Sequence, residues 1–295
     1  MVHPALVVYT SDLRNYYNTD FEIKKLDNSC SFSEGPVWHP NGFYLFSDIP
    51  ENVIYQLTPG EEKKVFLKNS GCTHQDVARL SKQIGSNGLA LNEKGELLIC
   101  QHGNHCVAIL KERKIEPLIS EYKSRPFNSP NDLVIHDDGS VFFSDPPYGL
   151  MDQKLIPDKY QSVAGVYCWR EGGVQLFCDQ YQYPNGVCLS PDKKILYTCS
   201  NKDFEPFMLQ FNADTLQLIS RVCKENGDGI KCDRFGNILL CNKEGVVIVN
   251  KVGKRLALLK LETIPANVCW GGSSKSDLFV TARENIFMMK DFLKP

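Results

Sequence analysis

A chain of 295 residues is long for one ordinary domain and short for two full ones, so length leaves the domain count open. Its 35 acidic and 33 basic residues give a formal net charge of −2, without the basic excess of a general nucleic-acid binder. No apolar run approaches the roughly 18–20 residues that span a bilayer, so neither nucleic acid nor membrane is expected as a partner.

At the amino terminus, residues 1–10 carry no Lys or Arg before a short apolar piece and no small-residue cleavage site, which argues against a secretory signal. The 12 Cys lie mostly inside apolar stretches, as at Cys100, Cys188, Cys199, Cys232, Cys241 and Cys269. None stand in Cys-x-x-Cys spacing, and no Asn-x-Ser/Thr acceptor occurs. Reduced, buried thiols and a cytoplasmic location are therefore expected.

One pattern recurs along the chain: a polar opening residue, a short apolar strand, a turn rich in Asp, Asn, Lys and Gly, then a second apolar strand. The copies are residues 34–48, 87–100, 131–144, 185–198, 228–241 and, more weakly, 267–280. Successive openings are 39 to 54 residues apart, the period of four-stranded propeller blades. Further strand-like stretches, such as Val53-Ile-Tyr-Gln-Leu57 and Gly165-Val-Tyr-Cys-Trp169, lie between copies, and no long segment has helical periodicity. The fold expected is all-β, a six-bladed β-propeller with a central metal site, forming one domain over residues 1–295. Residues 21–26 are expected to supply an outer strand beside residues 285–289 and so latch the ring. The two longest intervals hold polar insertions, residues 68–79 and 146–160, and long loops on a regular scaffold commonly carry function.

Equivalent positions of a propeller meet on one axis. The six openings are Glu34, Asn87, Asn131, Asn185, Asp228 and Asn267: two carboxylates and four amides, with no thiol or imidazole. A ring of hard oxygens suits a hard divalent cation, although Asn and Asp also cap turns without any ligand.

Several segments carry a family likeness. They are Ser33-Glu-Gly-Pro-Val-Trp38, Phe46-Ser-Asp-Ile49, Cys100-Gln-His-Gly-Asn104, Phe127-Asn-Ser-Pro-Asn-Asp-Leu133, Phe143-Ser-Asp-Pro-Pro-Tyr-Gly149 and Tyr183-Pro-Asn-Gly186. The sequence resembles the gluconolactonase and senescence-marker-protein (regucalcin) family, most of all its bacterial gluconolactonase branch, over nearly its whole length. The resemblance implies a six-bladed propeller with one catalytic divalent ion, held by Glu34, Asn185 and Asp228. Asn131 is implied as a further ligand or a substrate contact. Gly227 precedes Asp228 where the family usually has Ser or Pro.

Such an ion, most readily calcium and alternatively magnesium, manganese or zinc, would polarise a lactone carbonyl while Asp228 accepts the proton of the attacking water. Asn87, Asn131, His102, Arg125 and Tyr148 are candidates for binding substrate. His39, His74, His105 and His136 read as ordinary structural histidines. No Gly-x-Ser-x-Gly elbow, His-Glu-x-x-His motif or phosphate-binding glycine loop is present. The function expected is metal-dependent hydrolysis of a small sugar lactone. The sequence leaves open a related esterase or phosphotriesterase, a non-catalytic calcium-binding propeller, and the oligomeric state.

Overall fold

The computed structural model describes residues 1–74, 82–201 and 207–295. Each repeat of the sequence forms the inner two strands of a blade. All six inner hairpins close with the same turn, a backbone hydrogen bond from the fourth residue to the first: Gly42 to His39, Gly95 to Asn92, Gly139 to His136, Lys193 to Ser190, Gly236 to Asp233 and Lys275 to Gly272. The donor residue is left-handed in every case, and glycine fills the position in four. Lys193 and Lys275 adopt it at φ of 62° and 52°.

Two further strands complete each blade, giving six antiparallel sheets around a shaft. The first blade is Ser33–His39, Phe43–Asp48, Val53–Leu57 and Lys64–Lys68 in spatial order. A small hairpin, Glu121–Tyr122 with Arg125–Pro126, stands apart. Part of the insertion at residues 68–79 lies outside the described residues.

The ring closes at a double seam. Ile23–Asp27 is the outer strand of the sixth blade and pairs with Asn285–Met289, as the sequence leads one to expect. Leu6–Val8 adds a fifth strand to the fifth blade beside Arg255–Leu259, which the sequence pattern does not announce. Between these strands Tyr17 donates a 2.5 Å hydrogen bond to Asp233 of the fifth blade, so one short segment ties both blades. Among the described residues no helix is long and apolar enough to cross a membrane. All 12 Cys are free thiols, ten of them buried.

Apolar side chains fill the spaces between blades. Tyr44 stacks on Phe279 at 4.0 Å between the first and sixth blades, and Phe177 meets Phe211 edge-on between the third and fourth. A fully buried side chain such as Phe279 or Phe211 contributes about 1.5–3 kcal/mol.

Close to the axis the constraint is steric. Inner strands of neighbouring blades approach so nearly that the residue after most opening positions must be glycine. A Cβ on Gly35 would stand 2.0 Å from the Asn87 carbonyl oxygen, and one on Gly186 would stand 2.7 Å from that of Asp228. One on Gly229 would strike the Asn267 side chain at 2.1 Å. Bulges interrupt the inner-strand register between Glu34 and Val37, Ser86 and Leu89, and Pro184 and Val187. Each falls at an opening residue and re-aims its side chain.

This crowding separates two kinds of glycine. Gly186→Ala is expected to destabilise by about 1–3 kcal/mol through overpacking. Gly42→Ala, with open space around it and a left-handed φ of 94°, incurs only the backbone penalty of roughly 1–2 kcal/mol. Urea unfolding measures both, and Gly186→Ala alone should also disturb cation or ligand binding, because its neighbour is Asn185.

Candidate active site

Five of the six openings meet as expected. Glu34, Asn87, Asn131, Asn185 and Asp228 line one cavity of about 240 Å³ at an end of the shaft. The sixth, Asn267, stands behind Glu34 and donates to its Oε2 at 3.1 Å.

Two buried carboxylates hold the loops that deliver these side chains. Asp48 accepts from the backbone N–H groups of Ser31 and Phe32, just before Glu34. Asp145 accepts from those of Asn128 and Ser129, just before Asn131. Burial, opposed by these hydrogen bonds, pushes Asp145 up to about 8.

The amides form a directional chain. Asn87 Nδ2 donates to Asn131 Oδ1 at 2.7 Å, Asn131 Nδ2 to Asn185 Oδ1 at 2.8 Å, and Asn185 Nδ2 to Asp228 Oδ1 at 2.6 Å. The chain therefore ends on a carboxylate. At its other end Asn87 Oδ1 is buried without a hydrogen-bond partner among the described residues.

His102 is fully buried beside this chain. Its Nδ1 donates to the Gln83 carbonyl at 2.8 Å, leaving Nε2 as an acceptor 3.4 Å from the Asn87 amide nitrogen. Burial lowers it to about 4, so the ring is neutral near pH 7. Tyr148 reaches the cavity from the second insertion and donates to Asn201 Oδ1 at 2.5 Å. Asn201 in turn donates to Asp228 Oδ1 at 3.1 Å.

Arg125 is a correction to the sequence reading. It is exposed on the small hairpin, outside the cavity lining, and its guanidinium donates to the Pro157 carbonyl. Proximity in sequence to the third repeat does not bring it to the shaft, because the hairpin turns it outward.

The sequence reading also missed Asn201, Arg283 and Ile49, which line the cavity. A signal for them exists. Ile49, His102, Asn201 and Arg283 each follow directly after the second strand of a blade, at Asp48, Gln101, Ser200 and Ala282. The mouth thus has two registers, one from strand openings and one from the ends of the neighbouring strands.

Glu34 and Asp228 bring two carboxylates into the cup. Burial raises Glu34 well above the carboxylate range, and Asp228 and Asp132 add to the effect against hydrogen bonds from Gly35 and Asn267. One layer deeper, Lys231 Nζ lies 3.7 Å from Asp132 Oδ2 and joins the fifth blade to the third. Among the described residues no three His, Cys, Asp or Glu side chains form a cluster able to hold a metal, so a cation here would depend on amide oxygens as well. The residues fit a hard cation on that count: two carboxylates face one cavity, and an amide oxygen there has no partner among the described residues.

A six-bladed propeller with an oxygen-rich, carboxylate-bearing cup at one end of its shaft is a binding or catalytic scaffold for a small polar ligand. The chain belongs to the family described as SMP-30/Gluconolactonase/LRE-like region, whose model matches residues 32–284. It is 30% identical to the gluconolactonase of Zymomonas mobilis, over 91% of this chain and 81% of that protein. It is 26% identical to human regucalcin, over 87% of this chain and 84% of that one. Among solved structures, a gluconolactonase from Xanthomonas campestris superposes with a TM-score of 0.84 at 22% identity, covering 98% of this chain and 94% of that chain. A calcium-binding protein, regucalcin, from Agrobacterium tumefaciens superposes at 0.70 with 18% identity, covering 93% and 95%.

Glu34 supplies a test of this buried charge. Its pKa in the folded protein is raised, so the penalty for ionising it begins above its unfolded value and grows as pH rises. In chelator-treated protein, Glu34→Gln is expected to stabilise the fold by about 1–3 kcal/mol at pH 8 and less at pH 5. The amide oxygen can still accept from Gly35 and Asn267, both of which use the same carboxylate oxygen. Thermal unfolding at the two pH values measures the difference.

Proposed function

We propose that this protein is a lactonase, hydrolysing small sugar lactones with the help of one divalent cation. The observation that carries the reading is the pair of carboxylates, Glu34 and Asp228, facing one amide-lined cavity of about 240 Å³. That volume is below the roughly 300 Å³ at which drug-sized sites begin, and it suits a small polar molecule. The relatives named gluconolactonase support the reaction. The solved regucalcin described as calcium-binding supports calcium, with magnesium, manganese or zinc as alternatives.

Glu34, Asn185 and Asp228 would hold the cation, with Asn131 beside them. When bound, the cation supplies a Lewis acid that polarises a carbonyl and stabilises negative charge developing on its oxygen. The remaining steps belong to the protein's own groups. Asp228 accepts the proton of the attacking water. Asn185 and Asn201 both donate to its Oδ1 and fix its orientation. Asn87, Asn131 and Tyr148 offer hydrogen bonds to the hydroxyls of the sugar ring. Neutral His102 offers an acceptor through Nε2 and holds the Asn87 amide in place. Twelve free thiols accord with a reducing compartment, and we place the protein in the cytoplasm.

Two variants separate ligand from base. Metal saturation is expected to restore Glu34→Gln largely, because only ligand charge is lost. Asp228→Asn should keep a residual deficit of roughly 10²–10⁴-fold, the contribution of a positioned general base. Lactone hydrolysis is titrated against calcium, manganese and zinc with bound metal measured alongside. Full restoration of both variants removes Asp228 as the base. A wild type that hydrolyses phosphotriesters but no lactone overturns the substrate class.

A further inference from the structure

Arg283 is the one Lys or Arg side chain among the described residues lining the cavity. Its backbone is fixed independently of any ligand. The Ser33 N–H and hydroxyl both donate to the Arg283 carbonyl, at 2.8 and 2.7 Å. Its φ is 55°, a left-handed conformation in which an L side chain is strained and glycine would not be. A strained non-glycine residue at the edge of a site is a reason to look for a role in its side chain.

That side chain is exposed and lies over the Phe32 ring, 5.4 Å from the centroid. Its guanidinium forms no ion pair or hydrogen bond with any described residue. The ring limits where the guanidinium can go while leaving its N–H donors in the mouth of the cavity. Phe32 also lines the cavity and sits two residues before Glu34.

Charge points the same way. Among the described residues the lining carries two carboxylates and one guanidinium. With the two carboxylates facing a divalent cation, the guanidinium at the rim is the described charge left for a ligand. A neutral sugar lactone leaves that charge unmatched, whereas a lactone with an additional oxyanion matches it.

We propose that Arg283 binds a carboxylate or phosphate carried by the substrate away from its lactone group, and so sets a preference for acidic over neutral sugar lactones. The inference rests on the lactonase reading and specifies its substrate class. Arginine meets either oxyanion through paired, charge-assisted hydrogen bonds, which lysine cannot reproduce.

The test compares wild type, Arg283→Gln and Arg283→Lys on three lactones: gluconolactone, a sugar-acid lactone bearing a free carboxylate, and a sugar lactone bearing a phosphate. The wild type is expected to favour one charged lactone over the neutral one, and which of the two identifies the oxyanion. In Arg283→Gln the ratio of kcat/KM, charged over neutral, should fall about 10–100-fold, mainly through KM. Arg283→Lys should keep part of it. An unchanged ratio overturns the proposal while leaving the lactonase reading intact. Calorimetry gives a readout without turnover, using gluconate, glucarate and a phosphogluconate on calcium-loaded protein. Tighter binding of glucarate or of the phosphogluconate than of gluconate, lost in Arg283→Gln, supports the proposal. Equal binding of all three by wild type overturns it. If wild type hydrolyses no lactone, the lactonase reading falls and the calorimetric comparison alone decides the role of Arg283.

Discussion

The close approach of inner strands around the shaft governs this molecule. Six strands cannot meet on one axis at this distance if each carries a side chain toward its neighbour. Glycines at 35, 88, 186 and 229 remove the obstruction, and each stands immediately after an opening residue. The same crowding brings Glu34, Asn87, Asn131, Asn185 and Asp228 within reach of one another. Site and fold therefore share a cause: the contact that lets the ring close also assembles the polar cup.

The third blade departs from this scheme, and the departure is informative. Asp132 occupies the position where four other blades have glycine and the sixth has Val268. Its side chain turns down the shaft, accepts from the Val187 and Leu133 N–H groups, and pairs with Lys231. One cation thus compensates a lower carboxylate, while Glu34 above it is held by hydrogen bonds from Gly35 and Asn267 and by no ion pair with a described residue. Buried groups arranged for a ligand commonly sacrifice stability in its absence. The raised pKa of Glu34 is the electrostatic expression of that arrangement.

Much of this was legible in the sequence because a repeat converts chain position into a position on the axis. The register of the openings placed Glu34, Asn131, Asn185 and Asp228 together although up to 194 residues separate them. It could not show that Asn267 would turn to serve Glu34, since that depends on Gly229 making room. The second register, through Ile49, His102, Asn201 and Arg283, went unread because its residue types differ from blade to blade. Similar chemistry at equivalent positions was the signal used, and a ring of unlike residues does not give it. Arg125 failed for another reason. A two-strand hairpin outside the repeat took it outward, and no periodicity governs such an insertion. Leu6–Val8 likewise belongs to no repeat, and three apolar residues are too few to distinguish an edge strand from a loop.

The seam has a consequence in time. Ile23 pairs with Met289, and Leu6 with Leu259, so each of these strands must wait for a partner made about 250 residues or more after it. Four blades can form from local hairpins as the chain emerges. The fifth lacks its outermost strand as a docked element until residues 255–259 are made, and the sixth cannot close until residues 285–289 are made. The thermodynamic cost of so large a loop grows only logarithmically with its length. The kinetic cost is larger, because distant pairings slow folding and leave strand edges open meanwhile. Residues 6–27 therefore act as a clasp whose order of closing is set by the ribosome: the fastener is made before the blades it joins and fastened after them.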